Sequence, residues 1–280
     1  MTEMRRVRLG AATALVCLHV LAIAPQPTWA QPSEQPLRFV PPSRPTATVL
    51  RGRIRPIPPR CPCSFVQQKP LLTGLVFSQK TVSSRNIPPD VEVWGYTTQD
   101  YPTFWFYIPG STQRKYVMEF SLEDEKTRTV IYKTAIASPD RSGIAAIASP
   151  AGQHPLEVGK HYRWNLSTTC EPGRLSGYIP NVYGIVVRVN PKQALAAKLS
   201  TATPQQQAAL YVEHGIWHDA LTTLARLRQK YPQNSKIRSN WRSLLQSVDL
   251  AEMTEQPFVE GVATTAPTLL NLPYAPNQCR

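Results

Sequence analysis

The side chains able to do chemistry are few and scattered. His214 and His218 stand four apart, a spacing that puts two imidazoles on one helix face for a metal ion. Gly215 lies between them at a predicted helix break, so no shared face is expected. His154 precedes a proline in turn-rich sequence and His161 opens a strand-like run; each histidine reads as a polar surface or turn residue. Glu123-Asp124-Glu125 is the densest acidic group, but Lys126 and Arg128 follow it, and the segment reads as a hairpin turn with offsetting charges. Calcium would require oxygen ligands spaced further apart. Asp219 falls early in a predicted helix, where its charge suits the dipole. The sequence contains no Gly-x-Ser-x-Gly elbow, no His-Glu-x-x-His and no phosphate-cradling glycine loop. No catalytic residue, cofactor or metal set is therefore assigned.

Cysteine usage points to a compartment. Arg5, Arg6 and Arg8 precede the apolar run Leu9 to Ala24, and Thr28-Trp29-Ala30 ends on a small residue, the three-part plan of a cleaved export signal over residues 1–30. The run is shorter than the roughly 20 residues of a spanning helix, so no transmembrane segment is expected after cleavage. Cys17 lies inside it without the preceding small residue of a lipid-anchoring site. Cys61, Cys63, Cys170 and Cys279 remain, and in an oxidising compartment an even count favours disulfides. Cys61 and Cys63 are too close to pair comfortably with each other, so one of them is expected to reach Cys170. Cys-x-Cys without a matched second pair is a weak zinc signal.

The chain has 280 residues, with 31 Lys and Arg against 18 Asp and Glu. Loss of Arg5, Arg6, Arg8 and Glu3 leaves 28 bases against 17 acids, a net charge of +11. Outside the cytosol such an excess faces acidic polysaccharide, lipid headgroups or acidic proteins, and nucleic acid is not an expected partner. Residues 31–60 hold eight of the 28 prolines, and Arg51, Arg53, Arg55 and Arg60 concentrate positive charge near their end. Proline withholds the backbone donor, so this stretch is expected to be a disordered, exposed arm able to dock on an acidic surface.

The elements that would have to position any site come next. Between 61 and 190, runs rich in aromatic and β-branched residues recur between turn formers: Leu71 to Phe77, Val91 to Thr97, Thr103 to Ile108, Tyr116 to Leu122, Val130 to Ala135, Gly143 to Ala148, His161 to Thr169 and Tyr183 to Val189. They predict an antiparallel, immunoglobulin-like β-sandwich. Phe104 and Phe106 face opposite to Trp105 and Tyr107, which makes that strand central. Leu156, Gly159 and Tyr162 resemble the tyrosine corner of Greek-key sandwiches, with Trp164 and Leu166 continuing the core face.

After Asn190 the period changes to 3.6. Helices are predicted at 191–200, 204–213, 216–230 and 235–248, with Asn190-Pro191 and Thr203-Pro204-Gln-Gln206 as starts and Gly215 as a reversal. Ala208, Tyr211, Gly215, Ala220, Leu224, Leu227 and Pro232 resemble one tetratricopeptide repeat. The whole is an α+β chain: sandwich, small helical unit at 191–253 and flexible tail at 254–280.

Three motifs in order, Tyr101-Pro-Thr-Phe-Trp-Phe-Tyr-Ile-Pro109, Pro155-Leu-Glu-Val-Gly-Lys-His-Tyr-Arg-Trp164 and Leu210-Tyr-Val-Glu-His-Gly-Ile-Trp-His-Asp-Ala-Leu221, resemble a cyanobacterial family of secreted proteins catalogued only as a domain of unknown function. The resemblance implies an exported protein and brings no activity with it. The expected role is a periplasmic or extracellular binding or scaffolding protein, not an enzyme, whose partner is a protein or an acidic envelope component. A hydrolase acting on envelope glycan or peptide, with a site assembled from distant residues, is the alternative. Mass spectrometry without reductant should find Cys170 joined to Cys61 or Cys63; a free thiol at Cys170 would overturn that pairing.

Overall fold

The computed structural model describes residues 36–43, 45, 69–80, 91–110, 112, 117–149, 151–152, 154–169, 181–259 and 264–265. The predicted signal over residues 1–30, the cysteines and Arg51, Arg53, Arg55 and Arg60 lie outside the described residues.

The chain is α+β: two β-sheets followed by four helices. The strands are β1 (Thr73–Gly74), β2 (Ser78–Lys80), β3 (Val91–Thr97), β4 (Thr103–Ile108), β5 (Val117–Asp124), β6 (Val130–Ala137), β7 (Gly143–Ala148), β8 (His161–Thr169), β9 (Asn181–Arg188) and β10 (Thr264–Thr265). The smaller sheet has the order β1-β4-β7 and the larger one β10-β6-β5-β8-β9-β3-β2. Alternation explains the layering. In β8, Tyr162, Trp164 and Leu166 are buried, while Arg163 and Asn165 on the opposite face are half-buried. β4 is central in its sheet and buried on both faces. Phe104 and Phe106 pack against Phe120 and Trp164 of the larger sheet. On the other face Trp105 meets Phe258 and donates from its indole N–H to the Thr222 hydroxyl at 3.0 Å.

Two strand expectations change. The sheets are not wholly antiparallel, because β3 pairs in parallel with β9, Trp94 opposite Ile185 and Tyr96 opposite Val187. The long intervening chain lets β9 return in the direction of β3, which a short hairpin forbids. The run Leu71 to Phe77 is not one strand. After β1 the backbone doubles back, with the Val76 amide on the Gly74 carbonyl at 2.9 Å, and β2 joins the other sheet. Residues 71–76 are almost all buried on both sides, as a crossing between two sheets requires.

The helices are α1 (Gln193–Thr201), α2 (Pro204–Glu213), α3 (Trp217–Lys230) and α4 (Ser235–Gln246). Thr203 and Gln206 form a full capping box on α2, and the Asn234 side chain caps α4. α1 begins two residues later than Asn190-Pro191 suggested, with Lys192 at its N-cap and no side-chain cap bond. Gly215 reverses the chain with φ +69, a conformation costly for any residue with a Cβ, and a Cβ there would also lie 2.6 Å from the Pro42 ring. α3 packs on β3 and β4, one strand from each sheet, so helices and sheets share one core. The Trp217 indole N–H donates to the Leu75 carbonyl at 3.0 Å.

Both flanks are drawn further into this core than their compositions suggest. Within the stretch expected to be an exposed arm, Phe39 is 4% exposed, edge-on to Trp217, and its amide donates to the Ser247 hydroxyl at 3.0 Å. An aromatic ring outweighs the neighbouring prolines, which need no backbone partner. In the expected flexible tail, the Ile144 amide donates to the Pro257 carbonyl at 2.7 Å, the Val259 amide donates to the Ile144 carbonyl at 2.9 Å, and β10 pairs with β6. Phe258 lies between Trp105 and Trp241 under the Arg228 guanidinium. Phe258→Ala should lower unfolding free energy by about 2 kcal/mol, read by urea denaturation; a loss below about 0.5 kcal/mol would show that the strap formed by residues 257–259 carries no stability.

Candidate binding site

The outward-facing residues of β5, β8 and β9 build a hydrogen-bonded polar surface. Register puts Glu123 opposite Arg163, Ser121 opposite Asn165, Asn165 opposite Tyr183 and Ser167 opposite Asn181. The Asn181 side-chain Nδ2 donates to the Asn165 side-chain Oδ1 at 3.1 Å. Arg163 reaches Glu125 through Nε at 2.8 Å and Nη2 at 2.6 Å, and its guanidinium lies 5.5 Å from the Tyr183 ring centre. Arg128 pairs with Glu123 at 3.1 Å. Glu123, Arg128, Arg163, Asn165, Asn181 and Tyr183 line an open depression of about 480 Å³. Amides, a guanidinium and an aromatic ring on adjacent strands can hold a polar ligand by hydrogen bonds and stacking.

Glu123 of the acidic triplet lines the depression. Asp124 Oδ1 accepts the Lys126 and Thr127 amides at 2.9 and 2.8 Å, and these bonds hold its carboxyl below the usual range. The triplet closes the β5–β6 turn, with Glu125 bound across to β8.

A second group lies inside the fold, at the start of α3. Asp219 is almost wholly buried; its Oδ1 accepts the Thr97 hydroxyl at 3.0 Å, and its Oδ2 accepts the Thr98 amide at 2.6 Å and hydroxyl at 2.9 Å. Burial still pushes its carboxyl up despite these donors. Burial and the nearby Asp219 charge push the Tyr211 phenol up too. His218 is not the surface residue its type suggests. It is 4% exposed, edge-on to Phe104, with Nε2 unpartnered among the described residues and burial pushing it down to about 3. A Cβ on Gly95 would lie 2.9 Å from that nitrogen, so only glycine admits the ring. His218 and Asp219 are neighbours in sequence with different partners; the pair is a docking device between α3 and the sheets.

The other singled-out residues fall elsewhere. His214 caps α2, its Nδ1 2.8 Å from the Leu210 carbonyl, and His154 is exposed. His161, at the start of β8, is half-buried and pushed down by burial. Leu156 and Tyr162 are buried, Gly159 has φ +80, and the Glu157 amide donates to the Tyr162 hydroxyl at 3.0 Å. Arg188 holds the same turn by donating to the Leu156 carbonyl and pairing with Asp100. Among the described residues no group of three or more His, Cys, Asp or Glu is placed to hold a metal. No helix there is long and apolar enough to cross a membrane.

The family model described as Domain of Unknown Function (DUF928) matches residues 51–258. The chain belongs to the DUF928 family. No curated protein matches the chain. The DUF928 match takes in both sheets' long strands, all four helices and the depression, and it ends at Phe258, the ring of the strap. Phe39 lies before it.

Part of the depression was visible in sequence: Arg163 and Asn165 lie in the polar phase of a predicted period-two strand and Tyr183 opens another, whereas Asn181 lies before that predicted start and strand order had no signal. The partnership of Asp219 with Thr97 and Thr98 spans more than 120 residues and left no local signal.

The buried imidazole sets a pH dependence. The unfolded chain protonates His218 below about 6.5 and the folded protein only near 3. Stability from this group is therefore complete above about pH 6.5 and is lost as pH falls through that window, on the order of 5 kcal/mol in full. Asp219 works in the opposite direction, because its raised carboxyl favours the protonated form in the fold. His218→Leu should flatten the acid-side loss of melting temperature between pH 6.5 and 4; an unchanged slope would overturn the assignment.

Proposed function

We propose that this DUF928 protein is an exported binding and scaffolding protein, periplasmic or extracellular, that contacts a partner protein or an acidic envelope component. In this reading the two sheets are an immunoglobulin-like sandwich, and α2 with α3 is a tetratricopeptide-like unit docked on it. The open depression over β5, β8 and β9 carries the reading. Its donors, acceptors and ring stand on paired strands, so little side-chain or loop entropy is lost when a ligand is held. The basic start, apolar run and small-residue end within residues 1–30 support export. The carboxylates at the depression favour binding over hydrolysis: Glu123 and Glu125 each accept from an arginine rather than facing one another across a cleft.

Mature chain, residues 31–280, immobilised and exposed to envelope extract should retain a component that Tyr183→Ala combined with Asn165→Ala releases, while melting temperature stays unchanged. Deletion of residues 31–60 should remove the salt-sensitive part of that retention. Equal retention by the double variant, or none by the native chain, would overturn the reading.

A further inference from the structure

The paired helices α3 and α4 carry charge of one sign. From Trp217 to Gln246 there are six cations, Arg226, Arg228, Lys230, Lys236, Arg238 and Arg242, and a single acid, Asp219, which is buried against β3 at the far end of α3. Arg238 and Arg242 stand one turn apart on α4. Arg228 reaches across from α3 with its guanidinium 5.3 Å from the Trp241 ring centre. Burial pushes the Arg228 guanidinium down, the nearby Glu255 carboxylate opposes that, and the charges of Arg238 and Arg242 add to the lowering. Like charges gathered in this way cost folding stability; Arg228 stacks on Trp241 and Phe258, but Arg238 and Arg242 are exposed on α4.

One carboxylate already occupies the cluster. Glu255, just before the strap, accepts from Arg242 at 2.6 Å through Nη2 and 3.2 Å through Nε, and the arginines hold its carboxyl below the usual range. The pair is exposed, 51% for Arg242 and 71% for Glu255, so water and salt screen it and hold it weakly. A ligand presenting several carboxylates in series can displace it at small cost. Tyr231, 46% exposed beside Lys230, offers a ring at the edge of the same face.

We propose that the Arg228, Arg238 and Arg242 face is a docking site for an acidic, carboxylate-bearing polysaccharide, with Glu255 as the internal carboxylate that the polymer replaces. The planar guanidinium fork pairs with carboxylates at two points, which a point charge does not. A membrane surface fits less well, because the apolar sides of α3 and α4 are already buried in the core and leave nothing to enter hydrocarbon. The site rests on the exported binding role proposed above and deepens it, at a surface separate from the depression.

The test uses mature chain, residues 31–280, and surface-immobilised polygalacturonate, with neutral dextran and phosphatidylglycerol vesicles in parallel. Native protein should bind polygalacturonate, ignore dextran and lose affinity steeply between about 50 and 300 mM salt. Arg238→Gln with Arg242→Gln should weaken binding about tenfold or more, whereas Lys192→Gln with Lys198→Gln, an equal charge change on α1, should weaken it less than about twofold. Glu255→Gln should tighten binding several-fold, and Asp249→Asn, which also removes one acid, should not. Equal losses from the two double variants, no tightening by Glu255→Gln, or stronger binding to the vesicles would each overturn the site. None of these results depends on the Tyr183 and Asn165 variant, which tests the depression alone.

Discussion

Three donors from two consecutive residues, the Thr97 hydroxyl and the Thr98 amide and hydroxyl, converge on the Asp219 carboxylate. Taking a carboxylate out of water costs several kcal/mol, and charge-assisted hydrogen bonds of about 1.5–3 kcal/mol each offset that cost only when all of them form. The arrangement is therefore strict: α3 must sit at one height against the end of β3. Once it does, Trp217 meets the Leu75 carbonyl, Thr222 meets Trp105, and His218 fills the space that Gly95 leaves. The apolar contacts supply most of the favourable free energy, but their attraction is non-directional. The hydrogen bonds to the buried carboxylate are directional, and they set the register between helices and sheets.

The local code of this chain was legible where one element answers to its own period. β3, β4, β7 and β8 and helix α2 lie at the residues their patterns mark, and the Thr203 box and the Gly215 reversal read directly from residue type. Legibility ended where distant segments meet. Neither the parallel partnership of β3 with β9 nor the crossing from β1 to β2 has a one-dimensional signature, since alternation fixes a face and not a neighbour. The flanks show the same limit from the other side. Proline and polar residues suggested exposed segments, yet one aromatic in each, Phe39 and Phe258, supplies enough apolar surface to bring its segment onto the core. Of the depression, sequence held the residues but not their adjacency. The cluster around Glu255 was equally dispersed, across two helices and the segment after them.

The two surface regions divide the chemistry. On the sheet, opposite charges are interleaved, Glu119 with Lys133, Glu123 with Arg128 and Glu125 with Arg163, so the face presents dipoles and hydrogen-bonding groups with little net field. On α3 and α4 the cations outnumber their counter-ions and the face presents a field. A ligand held by the first is chosen by shape and hydrogen bonding; one held by the second is chosen by charge density.

The parallel pair of β3 and β9 has a consequence for the order in which the chain can assemble. β3 is among the first long strands made and β9 is the last, so the middle of the larger sheet stays open until residue 188 is present. The α3 helix docks on β3 still later. A chain growing from its N-terminus can form the β5–β6 hairpin early, yet Trp94 and Val93 have no complete core to enter until the rest has arrived. Assembly is thus gated by completion: truncation before β9 leaves an exposed, apolar strand edge rather than a smaller working unit.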